Sequence, residues 1–190
     1  MWNYSEKMMD HFRNPRNVGT IEHPDGTATV GSLACGDALT FQFKLDEEGK
    51  IKEAKFQTFG CASAIASSSA LTEMVIGKTL EEASKITNQQ IADYLGGLPP
   101  QKMHCSVMGR EALEAAIKNF QTGENADRNL EDAKLCVCYN VSENEVRRVI
   151  TENSLTTVEE VTNFTTAGGG CGRCKPKIQK ILDEINGGRS

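Results

Sequence analysis

The chain has seven cysteines among 190 residues, and they fall into two sets that differ in their neighbours. The first set is Cys35 with Asp37 two positions on, then Cys61, then the doublet His104-Cys105. Three thiols, an imidazole and a carboxylate are more donors than one closed tetrahedral site needs. Such soft ligands suit zinc, or iron with inorganic sulfide, and residue types alone leave both open. A Cys105–His104 catalytic dyad is the weaker alternative, because adjacent residues at a helix start point in different directions. The second set is Cys136, Cys138, Cys171 and Cys174. In an extended segment Cys136 and Cys138 share a face, and Gly168-Gly169-Gly170-Cys171-Gly172-Arg173-Cys174 is a loop whose backbone N–H groups can approach bridging sulfides. Four thiolates with no spare donor suit durable binding, with zinc the alternative on spacing alone. Two iron–sulfur sites, one open and one closed, is the reading these residues favour.

The elements that would carry these residues are legible from pattern. Tyr4, Met8, Met9 and Phe12 give a short helix that Asn14-Pro15 ends. Strand-like alternation follows in 27–33, 38–45 and 51–59, with Leu39, Phe41, Phe43 and Leu45 on one face of the second and Ala54, Phe56 and Thr58 alternating in the third. Asp46-Glu47-Glu48-Gly49 is the turn between the last two, so a three-stranded antiparallel sheet is expected. A sheet this small needs helices on one face. Those are expected at 61–76, after a capping box of Thr79 with Glu82, after another of Thr87 with Gln90, and at 104–120. Pro99-Pro100 should hold the chain extended before His104. Thiols at these element ends would gain from helix dipoles and backbone N–H groups. His11 and His23 have no cysteine neighbours and are expected at the surface. Residues 121–130 are polar and read as linker. Beyond them come a short extended piece at 134–139, a helix capped by Ser142 with Glu145, a helical face of Leu155, Val158, Val161 and Phe164, and a last helix over 174–185. The fold class is therefore α+β, with a sheet-and-helix domain at 1–125, a linker at 126–133, and a small mainly helical domain at 134–190. The second has too little core to be comfortable without a crosslink.

Composition excludes several classes. A net charge of −5, with cations scattered, gives no electrostatic warrant for nucleic-acid binding. The amino terminus lacks the apolar run of a secretory signal, and no stretch is long enough to span a membrane. Reduced thiols in the cytoplasm are the expectation.

Residues 1 to about 122 resemble the U-type iron–sulfur cluster scaffold, the domain shared by the short scaffold IscU and the amino-terminal part of NifU. The likeness rests on Tyr4-Ser5-Glu6-Lys7, Asn14-Pro15-Arg16-Asn17-Val18-Gly19, Ala34-Cys35-Gly36-Asp37, Thr58-Phe59-Gly60-Cys61 with the Ala64-Ile65-Ala66-Ser67-Ser68-Ser69 run, and Leu98-Pro99-Pro100 leading to His104-Cys105-Ser106. Residues 134 to about 182 resemble the central ferredoxin-like domain of NifU, related to bacterioferritin-associated ferredoxin, whose Cys-x-Cys and Cys-x-x-Cys pattern is met by Cys136, Cys138, Cys171 and Cys174.

The resemblance implies a scaffold rather than an enzyme, one that builds a transient 2Fe–2S or 4Fe–4S cluster and hands it to apo iron–sulfur proteins. Cys35, Cys61 and Cys105 would be the cluster thiolates, with Asp37 and His104 as ligands that come and go, and zinc or iron can occupy that site. Asp37 would keep the cluster labile, and Lys102 would offset thiolate charge. Sulfur would arrive from a cysteine desulfurase as persulfide, with Cys105 as the exposed acceptor. Cys136, Cys138, Cys171 and Cys174 would hold a permanent 2Fe–2S cluster, which suggests a reductant as a further partner. Gln101 stands where the short scaffold's Hsp70-type chaperone motif has valine, and a polar amide fills an apolar pocket poorly, which disfavours that chaperone. NifU usually carries a third domain, and no further Cys-x-x-Cys follows Ile185. The reading is compatible with a homodimer and with nitrogenase or housekeeping clients. The competing classes are a 2Fe–2S electron-transfer protein and a structural zinc protein.

Overall fold

The computed structural model describes residues 4–32, 37–124, 134–139 and 141–187. The chain divides into two compact units, Met1–Pro99 with Cys105–Arg128 and Pro100–His104 with Asn129–Ser190. The expected linker at 126–133 lies outside the described residues.

The first unit opens with α1 (Glu6–Arg13), where Ser5 Oγ accepts from Met8 N at 2.9 Å and also donates to the Leu95 carbonyl. Strands β1 (Gly26–Ser32), β2 (Asp37–Leu45) and β3 (Ile51–Phe59) form one antiparallel sheet in that order. Leu39, Phe41 and Phe43 from β2 are fully buried on its core face. A register shift at Lys44/Leu45 lets Ile51 and Ala54 both face the core, which strict alternation would forbid. Asp46 Oδ1 organises the β2–β3 turn by accepting from Glu48 N and Lys50 N, each at 2.9 Å. The outer edge of β3 is met by Asn17–Gly19: Phe56 N donates to Asn17 O and Gly19 N to Phe56 O. Pattern reading could not see that edge cover, since a three-residue segment has no period.

Helices α2 (Ala62–Val75), α3 (Leu80–Ser84) and α4 (Asn88–Tyr94) follow, and the two threonine capping boxes form as expected. The small residues of α2, rather than Ile65, carry its burial: Ser63, Ala64, Ala66, Ser67, Ser68, Ser69 and Ala70 are all inside. Its hydroxyls answer neighbours. Ser68 donates to Ala64 O, Thr72 donates to Ser69 O, and Ser69 Oγ accepts from Arg16 N. Pro99-Pro100 does not keep the chain extended; Pro100–Lys102 is a 3-10 turn running directly into α5 (Met103–Thr122). Proline suits the first turn of a helix because its missing N–H would be unpaired there anyway. Helix α5 also continues two residues into the stretch expected to be linker, and its Ala112, Leu113, Ala116 and Ile117 join the sheet core.

His11 corrects a sequence expectation. It is 1% exposed, not a surface residue. Its Nδ1 lies 2.9 Å from Ser69 Oγ, its Nε2 lies 3.5 Å from Glu73 Oε2, and its ring meets Tyr94 edge-on. Ser69 Oγ accepts from Arg16 N, so its own proton goes to Nδ1 and the neutral ring is satisfied. Burial first, then Arg16, holds the imidazole below its ordinary range. A histidine so depressed binds fewer protons folded than unfolded, so its stabilisation is full above the unfolded value near ~6.5. It is lost as pH falls from there toward the lower folded value. Thermal unfolding should therefore fall more steeply between pH 7.5 and 5.5 in the wild type than in His11→Gln; parallel curves would contradict this assignment.

The second unit places β4 (Lys134–Cys136) against β5 (Val141–Ser142), then α6 (Glu143–Asn153), α7 (Val158–Thr165) and α8 (Lys175–Gly187). Ser142 Oγ caps α6 by accepting from Glu145 N at 3.1 Å. Leu155 is buried but lies before α7, which starts behind a Thr157/Glu160 capping box. Val146, Val149, Ile150, Leu155, Val161, Ile178, Ile181 and Leu182 make its apolar interior. Among the described residues no helix is long and apolar enough to cross a membrane.

Candidate functional site

The first unit brings together two of the expected ligands. Cys61 is the N-cap residue of α2, and Cys105 lies in the first turn of α5. Their Sγ atoms are 3.6 Å apart. Gly109 of α5 faces Leu71 of α2, where an added Cβ would stand in ordinary contact, 3.6 Å from Leu71 Cδ2. Asp37 is the first residue of β2, opposite Ser32 at the far end of β1. Cys35, in the connection between those strands, and the side chain of Asp37 lie outside the described residues. His104 precedes Cys105 on the same helical turn and is half-buried, as is Lys102 in the 3-10 turn. Phe59, two residues before Cys61, is 80% exposed.

Cys105 departs from expectation in one respect. It is 1% exposed, whereas a persulfide acceptor was expected to be an open thiol. Met103, Ser106 and Val107 beside it are buried as well. Cys61 is the more accessible of the two.

In the second unit the four expected cysteines line one cavity of ≈ 470 Å³ together with Lys134, Leu135, Val137, Arg173 and Lys177. They stand as two pairs. Exposed Cys138 donates to exposed Cys171 at 3.4 Å, and buried Cys136 faces buried Cys174. Hydrogen bonding from the Arg173 backbone N–H, then from the Cys138 thiol, holds Cys171 below the usual thiol range. Burial, then the neighbouring Cys136, pushes Cys174 up. Metal binding requires thiolates and releases their protons, so of these two Cys171 gives up its proton the more readily.

The glycine loop has a steric reason to be glycine. A Cβ on Gly170 would lie 3.0 Å from Cys138 Cβ, 3.2 Å from its Sγ and 3.2 Å from Tyr139 Cε2. That cradle, with four thiols at its rim, fits an all-thiolate iron–sulfur centre. Among the described residues no three His, Cys, Asp or Glu side chains converge as one metal-holding group, so the four thiols stand as two pairs rather than as a closed set. The Gly170–Cys138 approach was not evident in the sequence, although the glycine run beside Cys171 pointed to close packing there.

Residues 3–127 match the family model of the NifU-like N terminal domain, and residues 135–184 match that of the BFD-like [2Fe-2S] binding domain. The chain belongs to the NifU-like family. It is 54% identical over 194 residues to the nitrogen fixation protein NifU of Trichormus azollae, covering 97% of this chain and 65% of that protein. Against the iron-sulfur cluster assembly scaffold protein IscU of Haemophilus influenzae it is 54% identical over 121 residues, covering 62% of this chain and 95% of that one. The chain spans only 60% to 65% of the length of NifU relatives such as those from Trichormus azollae to Azotobacter chroococcum. Among solved structures, a NifU-like N-terminal protein from Brucella abortus shares the fold at TM-score 0.53 and 20% identity, covering 63% of this chain and 95% of that one. A putative iron-sulfur cluster assembly scaffold for the SUF system from Fervidobacterium islandicum matches at TM-score 0.51 and 28% identity over 60% of this chain and 96% of that one.

Proposed function

We propose that this chain is a scaffold on which an iron–sulfur cluster is built and from which it is delivered. The observation that carries the reading is the 3.6 Å approach of Cys61 and Cys105 at the starts of two packed helices, in a chain of the NifU-like family. In this reading the domains are 1–125, holding the transient site, and 134–190, holding a 2Fe–2S centre, with 126–133 between them. Cys35 joins Cys61 and Cys105 as the third thiolate, and Asp37 and His104 alternate as ligands. The cargo is a 2Fe–2S or 4Fe–4S cluster, and zinc or iron holds the site before assembly.

Sulfur comes from a cysteine desulfurase. The Cys105 thiolate attacks the outer sulfur of the desulfurase persulfide, forming a new S–S bond and releasing the desulfurase thiolate. Because Cys105 is buried, the first turn of α5 must open for that step. Alkylation trapping and mass spectrometry should find the persulfide on Cys105; recovery on Cys61 or Cys35 alone would refute this assignment. Each sulfane sulfur needs two electrons to become sulfide, and a 2Fe–2S centre, when bound, supplies one-electron chemistry. Cys136, Cys138, Cys171 and Cys174 would hold that centre. Apo iron–sulfur proteins take the finished cargo, and Lys102 offsets part of the thiolate charge. Gln101 disfavours an Hsp70-type chaperone.

The carboxylate of Asp37 competes with thiolate for iron and offers the cargo an exit. Asp37→Ala should retain the cluster and slow its transfer to an apo-ferredoxin about tenfold or more, the scale typical of groups that tune a metal site. An unchanged transfer rate would count against it.

A further inference from the structure

The mouth of the cavity in the second unit carries one sign of charge around an apolar point. Lys134 from the start of β4, Arg173 between the last two cysteines, and Lys177 from α8 all line it, and among the described residues no carboxylate does. All three are exposed, and among the described residues none is held in an ion pair. The stretch Arg173-Cys174-Lys175-Pro176-Lys177-Ile178-Gln179-Lys180 continues the patch without an acid. This is unlike α6, where Arg147 bridges Glu143 and Glu184. It also runs against the chain's net charge of −5. Between Cys136 and Cys138, Val137 is 81% exposed, among the most exposed large apolar side chains described.

We propose that this collar is the docking surface for an acidic one-electron carrier protein. The proposal rests on the reading of 134–190 as a 2Fe–2S domain, and names the kind of partner that domain takes. Charge complementarity selects a partner whose redox centre lies beneath carboxylates, and Val137 supplies the small dry contact that such brief encounters use. Electron-transfer complexes sit at the small end of interface size, so three cations and one apolar side chain are in proportion. The patch suits a protein better than a nucleic acid, which would call for a longer basic groove with aromatic platforms for its bases. Cys138 and Cys171 are the exposed pair of the site, so a partner seated on the collar would lie against the open half.

The test uses the full chain, loaded anaerobically with iron and sulfide, and an acidic flavodoxin as the probe. Titration calorimetry at 20 mM and 200 mM salt is compared for wild type, Lys134→Glu with Lys177→Glu, and Val137→Asp. A charge-matched control carries Lys52→Glu and Lys118→Glu, which lie in the first unit. The expected result is binding weakened at least about tenfold by high salt and by the collar variant, the scale of electrostatic steering. Val137→Asp should weaken it too, and the control should stay within about twofold, as for surface changes outside an interface. Carbodiimide crosslinking, which joins amines to carboxylates, should tie Lys134 or Lys177 to the flavodoxin. Equal affinity of collar variant and wild type would overturn the proposal. So would crosslinks that join two copies of this chain through the patch, or patch-dependent retention of duplex DNA. Iron and sulfide counts on the same samples separate the two layers. Two-site loading without patch-dependent binding defeats the docking alone, and patch-dependent binding without a second cluster defeats the 2Fe–2S reading alone.

Discussion

Gly170→Val should strip the durable cluster from the protein while leaving the first unit folded. A Cβ there would already sit 3.0 Å from Cys138 Cβ and 3.2 Å from its Sγ, and valine adds two methyl groups beyond it. Neither neighbour can step aside freely, since Cys138 follows the short β4 ladder and Tyr139 lies 3.2 Å away on the same side. The thiol must therefore leave the position from which it meets Cys171, and three thiolates replace four. Metal sites lose ligation steeply when one donor is misplaced, because affinity is tied to ligand count and geometry. The expected outcome is loss of most of the chelator-resistant iron and its visible absorption, with the far-ultraviolet spectrum of the first unit retained. Full iron retention in the variant would show that Gly170 does not bound the site.

Gly26→Ala should destabilise the first unit by about 2–3 kcal/mol or more, at the upper end of overpacking costs. The added Cβ would lie 2.4 Å from the Phe43 ring and 2.6 Å from the Ala116 carbonyl oxygen. The ring could turn only into a core it already fills, being fully buried, and the carbonyl belongs to the backbone of α5. Relief must then come from moving β1 away from α5, the helix that carries Cys105. Against a typical stability of about 5–15 kcal/mol, that is a large fraction. Denaturant unfolding should show a lower midpoint, and a midpoint within error of the wild type would contradict the close approach. The same substitution should also weaken metal retention in the first unit, since it shifts the helix bearing one of its thiols.

What could be read from the sequence was local. Alternation in β2, the Asp46–Gly49 turn and the capping boxes at Thr79 and Thr87 each involve residues within a few positions, so pattern suffices. The placing of cysteines at element ends was legible for the same reason. His11 was misjudged because its partners Ser69 and Glu73 are about sixty residues away, and nothing near it in sequence announces a buried imidazole. The serines of α2 look like surface polarity until the hydroxyls find Ala64 O, Arg16 N and His11. Pro99-Pro100 reads as extended in sequence, although proline at a helix start is compatible with the turn it opens. Thr157 with Glu160 repeats the capping pattern legible three times upstream, and it marks the start of α7. The burial of Cys105 has no signature of its own in the residues beside it.

Delivery needs two sites of unequal hold, and one experiment reads both. The full chain is loaded anaerobically, then mixed with a chelator or an apo-ferredoxin while iron, sulfide and visible absorption are followed. Two phases are expected: a cluster from the Cys61–Cys105 site that leaves and appears on the acceptor, and a remainder that stays and is abolished by Gly170→Val. A single phase, with all the iron resisting both challenges and none reaching the acceptor, would contradict delivery as what this chain does.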